Sequence, residues 1–335
     1  MLEGIHQKRT GEFRRVLRAC AMAASRGRHA LVLLVPRGQD PDGFMRSFHH
    51  HCRDKAGRPV RLVSLNDRPA DSPAISRLAS VFGLNGRPVV TDDARLTDLM
   101  GAADRLFERL AGTIARELAT NDPGIGPGLL MIEGAIESER TVLAFLSHLS
   151  PPTALWQSIT GKRLRPRQFL AVAAISHCEA DGPVNLPEEI ETLAVRSLRA
   201  RDLEAAPDAV AEILLGELDP TAMSHPAPVQ LKEVRPPPDF ATGERRGLVK
   251  KMMDAGAFHD ALPLIDGLDA RTRVRCLVAA GRPDDALRIG LSDEGASTPD
   301  PGFHIEMGEL ALARADGHAA EIFIDTAEGF GNPSP

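Results

Sequence analysis

The sequence predicts a three-layer α/β domain with a parallel sheet, followed by an all-helical tail. Short, continuously apolar runs such as 30–36 and 169–175 are typical of strands that are buried on both faces. Helical patterns separate most of these runs, which favours parallel strands joined by right-handed crossovers. Strand-like runs end after about residue 198, and the segments beyond it are helical. The chain of 335 residues is long enough for two domains of ordinary size.

The individual elements follow from the spacing of apolar residues. Apolar positions at helical spacing predict helices over 9–27, 44–53, 73–83, 95–119 and 139–149. Short apolar runs predict strands over 30–36, 60–65, 129–132 and 169–175. We therefore expect one α/β domain over 1–218, in which a lid could begin at 203–218. A proline-rich linker is predicted over 219–240 and a helical domain over 241–330.

Composition excludes several classes of protein. The chain is 43% hydrophobic and 26% charged, which is ordinary for a globular protein and unlike a disordered or collagen-like one. No apolar run approaches the roughly 18 residues that a membrane helix needs, and the first residues lack the apolar stretch of a secretory signal. The four cysteines are scattered without a CxxC pair, so we expect a cytoplasmic protein without disulfides or structural zinc.

Charge is unevenly distributed along the chain. Residues 1–65 contain 13 Lys and Arg against 5 Asp and Glu, whereas the remaining residues contain 27 against 41. Five arginines in or just after the first predicted helix predict a surface for an anionic partner, either nucleic acid or an acidic protein face: Arg14, Arg15, Arg18, Arg26 and Arg28. The alternative is a solvated helix face, since no aromatic residues interleave with these arginines for base stacking.

A glycine loop follows the first predicted strand, where a phosphate-binding P-loop would lie. Gly38 and Gly43 have the spacing of the pattern GxxxxGK[ST], but Phe44 and Met45 replace its lysine and hydroxyl residue. The lysine would neutralise the β- and γ-phosphates, and the hydroxyl would hold magnesium. Two aspartates in the loop also bring negative charge to a place that should attract anions. The loop is therefore predicted to be a degenerate nucleotide site.

Two further strand ends fit the same interpretation. Glu133 ends an apolar strand as the first carboxylate of a Walker B motif does, although Gly134 replaces the second, catalytic carboxylate. Ser176 ends the next strand, at the position of a polar sensor residue. In this order and spacing the chain resembles, over roughly 10–218, the AAA+ branch of P-loop NTPases. It is most similar to the central domain of bacterial enhancer-binding activators, or to the origin-recognition type.

The resemblance implies an AAA+-like fold, but its departures fall at the catalytic positions. ATPase activity is therefore not expected, and neither ATP with magnesium nor a metal is predicted as a cofactor. In an active AAA+ ring, arginines at the start of the lid would act across the subunit interface, and the candidates here are Arg196, Arg199 and Arg201.

The helical tail contains two copies of the pattern AG-x4-AL, at 255–262 and 280–287, and a looser copy at 315–322. In each copy the glycine would end one helix and the Ala-Leu pair would pack the next. The tail resembles tetratricopeptide (TPR) repeats, which bind peptides or helices in a groove. Unrelated helical hairpins of a small bundle are the alternative.

These observations predict a bacterial, non-hydrolysing AAA+-like adaptor or regulatory subunit that acts through protein–protein interaction. Its partner would be an active AAA+ protein, or a peptide or helix in the TPR-like groove. One alternative is a nucleotide- or nucleic-acid-binding regulatory protein related to origin-recognition and clamp-loader ATPases. Another is an enzyme with an acid/base site at the strand ends, which would use Glu133, Ser176 and His177.

Overall fold

The structure, a computed structural model, divides the chain into two compact units. The first comprises the described residues within 1–72 and 110–233, and the second those within 73–109 and 234–335. The described residues are 2–66, 72–84, 90–91, 94–118, 127–134, 136, 139–150, 169–177, 186–195 and 242–331. The predicted lid start, the proline-rich linker and the three lid arginines lie outside these ranges.

The first unit contains a five-stranded, all-parallel sheet in the order β2-β3-β4-β1-β5. Its strands are β1 (Ala30–Pro36), β2 (Val60–Ser64), β3 (Gly128–Glu133), β4 (Phe169–His177) and β5 (Glu191–Ala194). The first four confirm the predicted strands. The sequence did not predict β5, because this edge strand has only four residues and alternates between half-buried and exposed positions.

Both faces of the central strands are buried. One face packs against α1 (Leu2–Ser25) and α2 (Pro41–Ala56), in a core that includes Phe13, Val16 and Phe48. The helix α6 (Arg140–Leu149) also packs against β1. This apolar core explains why the central strands are continuous hydrophobic runs, as in parallel sheets in general.

The second unit is helical in its described part. Its N-terminal segment contributes α3 (Ala74–Val81), α4 (Leu96–Leu99) and the start of α5 (Ala102–Glu117), within which the division between the units falls. Its C-terminal segment contributes α7 (Thr242–Asp254), α8 (Phe258–Ala261), a 3₁₀ turn (Leu262–Leu264), α9 (Ala270–Ala279), α10 (Pro283–Gly290), α11 (Asp293–Ala296), α12 (Pro301–Ala313) and α13 (Gly317–Gly331).

The single helix predicted over 95–119 is wrong, because the chain breaks between α4 and α5. Met100 leaves the helical conformation with ψ of 125°, and Gly101 adopts a left-handed φ of 70°. A glycine takes this conformation without the steric cost that a Cβ would add. The periodic apolar residues on both sides of the break gave the impression of one continuous helix.

The segment 73–109 packs with the C-terminal helices, although it precedes β3 in the chain. Arg275 donates hydrogen bonds to the carbonyls of Ala94 at 2.7 Å and Thr91 at 3.2 Å. Arg95 forms an ion pair with Glu309 at 3.4 Å. The second unit is therefore built from two distant stretches of sequence, whereas 73–109 was predicted to belong to the α/β domain.

Candidate functional site

Parallel strands bring the predicted site residues to one edge of the sheet. In register, Val35 and Pro36 of β1 lie beside Ser176 and His177 of β4. Glu133, at the end of β3, is at the same edge. Since functional sites of parallel sheets gather at the carboxyl ends of their strands, this edge is the candidate site.

The glycine loop leaves this edge after β1. Gly38 adopts a left-handed φ of 92°, as the sharp turn out of the strand requires. The amide of Arg37 donates to the carbonyl of His177 at 3.0 Å, so the start of the loop is tied to the neighbouring strand. The predicted loop and the predicted strand end of β4 are therefore adjacent.

The amides at the start of α2 are already bound by a carboxylate of the same loop. Asp40 is the N-cap of α2, and its two carboxylate oxygens accept hydrogen bonds from the amides of Asp42 and Gly43, each at 2.9 Å. In a P-loop, amides at a helix N-terminus bind phosphate. Here the aspartate takes that role, so a phosphate would have to displace it.

The positions of the missing lysine and hydroxyl residue lie in the hydrophobic core. Phe44 and Met45 are both fully buried. The Phe44 ring contacts Phe13 edge-on, with ring centroids 5.6 Å apart, and lies 6.4 Å from the ring of Phe48. The two residues thus support the packing of α1 on α2 rather than the chemistry of the loop.

Asp42, in the first turn of α2, ties two strand ends together. One oxygen of the Asp42 carboxylate accepts from the side-chain amide of Asn66, just beyond β2, at 2.8 Å. The other accepts from the backbone amide of Gly134, just beyond β3, at 2.8 Å. Gly134 has a φ of 112°, and a Cβ there would lie 3.0 Å from the Cβ of Leu65. Close packing and backbone conformation both require glycine at this position.

Glu133, the predicted Walker B carboxylate, is 7% exposed and faces an arginine. Arg46 of α2 lies 3.6 Å from its carboxylate and 3.4 Å from that of Asp40. We call Asp40, Asp42, Arg46, Asn66 and Glu133 the carboxyl-edge cluster. Two of its three carboxylates, those of Asp40 and Glu133, lie near its one guanidinium, and this excess of negative charge disfavours binding of a phosphate.

Arg46 and Asn66 were not predicted to be site residues. Arg46 follows the degenerate P-loop pattern by one residue, and Asn66 follows β2 by two. Asn66 could have been identified from its position, because residues that directly follow parallel strands lie at the same edge of the sheet. Ser176 is exposed and His177 half-buried, and no hydrogen bond joins either to Glu133 in the described part of the chain.

The five predicted anion-binding arginines fall into two groups. Arg15 bonds to Glu12 and to the carbonyl of Ala194, while Arg28 donates to the carbonyl of Glu189 at 3.2 Å. Arg26 lies 3.8 Å from the carboxylate of Glu191. Arg15 thus links α1 to β5, while Arg26 and Arg28, just after α1, contact β5 and the residues before it, which the sequence could not show. Arg14 and Arg18 are exposed and form no ion pair in the described part of the chain.

The predicted helix corners occur in the second unit. Gly256 and Gly281 adopt left-handed conformations, with φ of 76° and 77°, between α7 and α8 and between α9 and α10. At both, the two backbone hydrogen bonds of a Schellman motif close the preceding helix. In the third copy the left-handed residue is Ala315, with φ of 60°, rather than Gly317. The residue five positions after each turn is a buried alanine: Ala261, Ala286 and Ala320.

The remaining features concern possible metal ligands, cysteines and helices in the described part of the chain. Its Cys, His, Asp and Glu residues include no group able to hold a metal ion. Burial raises the pKa of the Cys20 and Cys52 thiols to about 12, so both stay protonated at neutral pH and are poor nucleophiles. None of the described helices has the length and apolar character to cross a bilayer.

Comparisons with family models, curated proteins and solved structures found no match for this chain. Its function must therefore be inferred from its own residues.

Proposed function

We propose that this chain is a non-hydrolysing, AAA+-like adaptor or regulatory subunit that acts through protein–protein interaction. The parallel sheet, the glycine loop after β1 and the carboxylate at the end of β3 support the AAA+-like part of the proposal. The non-hydrolysing part rests on one observation about the hydrogen bonds of the glycine loop. Asp40 already binds the amides that would hold a phosphate.

The fold analogy supports the adaptor role by association rather than by chemistry. A nucleotide-binding fold that has lost the lysine, the magnesium ligand and the second acidic residue has no means of hydrolysis left in its loop. The surfaces around it are still available, and exposed helical hairpins such as those of the second unit are common binding elements for peptides. A TPR-like groove in the second unit and an active AAA+ protein as partner are parts of this proposal.

Thermal unfolding with and without nucleotide tests the loop. We expect millimolar ATP or ADP with magnesium to leave the Tm of the wild-type chain unchanged. Binding at about 100 times the Kd would add about 2.7 kcal/mol and raise the Tm by several degrees. Such a rise would contradict the proposal.

A variant of the N-cap shows whether Asp40 is the cause. Asp40→Gly frees the amides of Asp42 and Gly43, and it costs the helix only a few tenths of a kcal/mol because glycine is a tolerated N-cap. We expect pyrophosphate to raise the Tm of this variant but not that of the wild type. Asp54→Asn, which removes an exposed carboxylate from the same helix, is the matched control and should behave as the wild type does.

Nucleic-acid binding is the second candidate, and the exposure of Arg14 and Arg18 favours it. Fluorescence anisotropy with labelled single- and double-stranded DNA distinguishes the two. Contacts to phosphates would give a Kd that rises steeply with salt. If the chain is a protein adaptor only, we expect no binding even at low salt.

A purified candidate partner tests the adaptor role directly. Binding by calorimetry should survive Asp40→Gly and remain independent of nucleotide. A partner that binds only in the presence of ATP would instead assign a switch function to the loop.

A further inference from the structure

The last helical hairpin of the second unit exposes a contiguous apolar surface. Ile305 and Leu312 of α12 are 52% and 59% exposed, and Ile324 of α13 is 44% exposed. Positions 305 and 312 lie two turns apart on one face of α12, with Gly308 between them. A Cβ at Gly308 would lie 3.4 Å from Cγ1 of Ile324, so the three side chains share one surface.

Acidic residues border this surface on α13. Glu321, Asp325 and Glu328 are exposed and form no ion pair in the described part of the chain. The helix has neither lysine nor arginine to offset them. We call these three residues, together with Ile305, Leu312 and Ile324, the apolar–acidic face. A ligand for it must bring both apolar area and positive charge.

The first helix carries that combination. Arg14, Arg18 and Met22 are spaced four residues apart and therefore lie along one face of α1. All three are exposed, and Met22 is 52% exposed. Arg14 and Arg18 form no ion pair in the described part of the chain, unlike Arg15 and Arg26. We call Arg14, Arg18 and Met22 the basic stripe.

We propose that the basic stripe of one copy of this chain binds the apolar–acidic face of a second copy. Charge complementarity identifies the occupant: one side offers two guanidinium groups in line with a methionine, and the other offers three carboxylates on the helix of Ile324. Nucleic acid would satisfy Arg14 and Arg18 but would leave the apolar–acidic face uncovered. The inference does not depend on the glycine loop or on the proposed adaptor function.

The two surfaces are different, so the contact is head-to-tail. A head-to-tail contact leaves one unused surface at each end and adds further copies instead of stopping at a dimer, unless a ring closes. The mean mass should therefore rise continuously with protein concentration. Because exposed charges are screened at high ionic strength, the association should weaken with salt.

Sedimentation velocity of the full chain between about 1 and 200 μM tests this. At 50 mM NaCl we expect the weight-average mass to rise above that of the monomer, and at 500 mM NaCl we expect the Kd to increase about tenfold or more. A monomer at every concentration and in both salts would overturn the proposal. A concentration-independent dimer would overturn it too.

Charge-reversed variants locate the contact. Arg14→Glu with Arg18→Glu, and separately Asp325→Arg with Glu328→Arg, should each be monomeric. A mixture of the two double variants should associate again, because each supplies the charge that the other lacks. For the arginine variant, the matched control Arg53→Glu with Arg116→Glu changes net charge by the same amount at exposed positions elsewhere and should associate as the wild type does.

The apolar component has its own variant. Ile324→Asp changes a residue that is already 44% exposed, so the fold should tolerate it. We expect it to abolish self-association while leaving the circular dichroism spectrum and the Tm unchanged. Unchanged association of Ile324→Asp, or failure of the mixed charge variants to associate, would place the contact elsewhere and overturn the proposal.

Discussion

The carboxylate of Asp42 accepts a hydrogen bond from the backbone amide of Gly134 at 2.8 Å, across 92 residues of sequence. Its other oxygen accepts from Asn66 at 2.8 Å. One side chain in the first turn of α2 therefore holds the chain just after β2 and just after β3. Asp42 and the N-cap Asp40 thus bind backbone amides at the carboxyl edge of the sheet, which supports the proposal that the loop does not bind nucleotide.

Replacing Asp42 tests this tie. We expect Asp42→Asn to lower the free energy of unfolding by about 1–3 kcal/mol, because the two hydrogen bonds lose a charged acceptor. Urea denaturation followed by circular dichroism measures the change. Asp54→Asn, an exposed position on the same helix, should leave the urea midpoint unchanged. Equal midpoints for both variants would show that the tie contributes nothing to stability.

Restoring the lysine of the P-loop pattern should fail. Phe44 is fully buried beside Phe13 and Phe48, so Phe44→Lys leaves a cavity in the core and buries a charge. We expect it to cost several kcal/mol and to confer no response of the Tm to ATP. Phe44→Leu, which keeps the site apolar, is the control and should remain folded. A folded Phe44→Lys protein that ATP stabilises would mean that this side chain can turn toward the loop.

The elements of the first unit were predictable because their signals are local. Continuous apolar runs indicated β1 and β4 correctly, and the carboxylate at the end of β3 was placed at the correct edge. β5 was missed because a four-residue edge strand, partly open to solvent, has no apolar run. Only part of the loop chemistry was predictable. The sequence showed that the lysine is absent, but it did not show that Asp40 accepts hydrogen bonds from the amides of Asp42 and Gly43.

Contacts between distant segments could not be read from the sequence. Arg275 binds the carbonyls of Thr91 and Ala94. Neither segment contains a sequence pattern that indicates contact with the other. Backbone carbonyls carry no sequence signal, so the assignment of 73–109 to the second unit required the structure. The same reason explains Arg15 and Arg28, whose acceptors are carbonyls in and just before β5.

A histidine of the second unit should make stability depend on pH. Burial lowers the pKa of His259, Asp104 opposes this effect, and Arg282 adds to it. The ring also stacks on Phe107, with centroids 6.1 Å apart. A folded-state pKa below the ordinary value of 6.5 means that the unfolded chain binds the proton more tightly. The contribution of the neutral His259 ring to the free energy of unfolding is therefore fully present above pH 6.5. It is lost as the pH falls below that value toward the lowered folded-state pKa.

The measurement is the urea midpoint between pH 7.5 and 5. We expect the wild-type midpoint to fall over this range and His259→Gln, which cannot titrate, to show a smaller fall. His49→Gln is a useful comparison, because burial also lowers the pKa of that half-buried histidine on α2. Identical pH profiles for the wild type and His259→Gln would exclude His259 as a source of the dependence.

The third helix corner should be improvable by a single substitution. Ala315 ends α12 with a φ of 60°, and the amide of Asp316 donates to the carbonyl of Ala311 at 2.9 Å to close the helix. The left-handed conformation costs an alanine about 1–2 kcal/mol of folded-state free energy, which glycine avoids. Glycine also makes the unfolded chain more flexible, and this offsets part of the gain. We therefore expect Ala315→Gly to raise the free energy of unfolding by about 0.5–1 kcal/mol.

Two controls separate this effect from a general effect of glycine. Gly281→Ala, at the equivalent turn with a φ of 77°, should lower stability by about 1 kcal/mol. Ala313→Gly, two residues before the turn and still helical, should also lower it by about 1 kcal/mol. Thermal and urea unfolding of the three variants should therefore place only Ala315→Gly above the wild type. If Ala315→Gly fell below it, the left-handed turn at this corner would not form in solution.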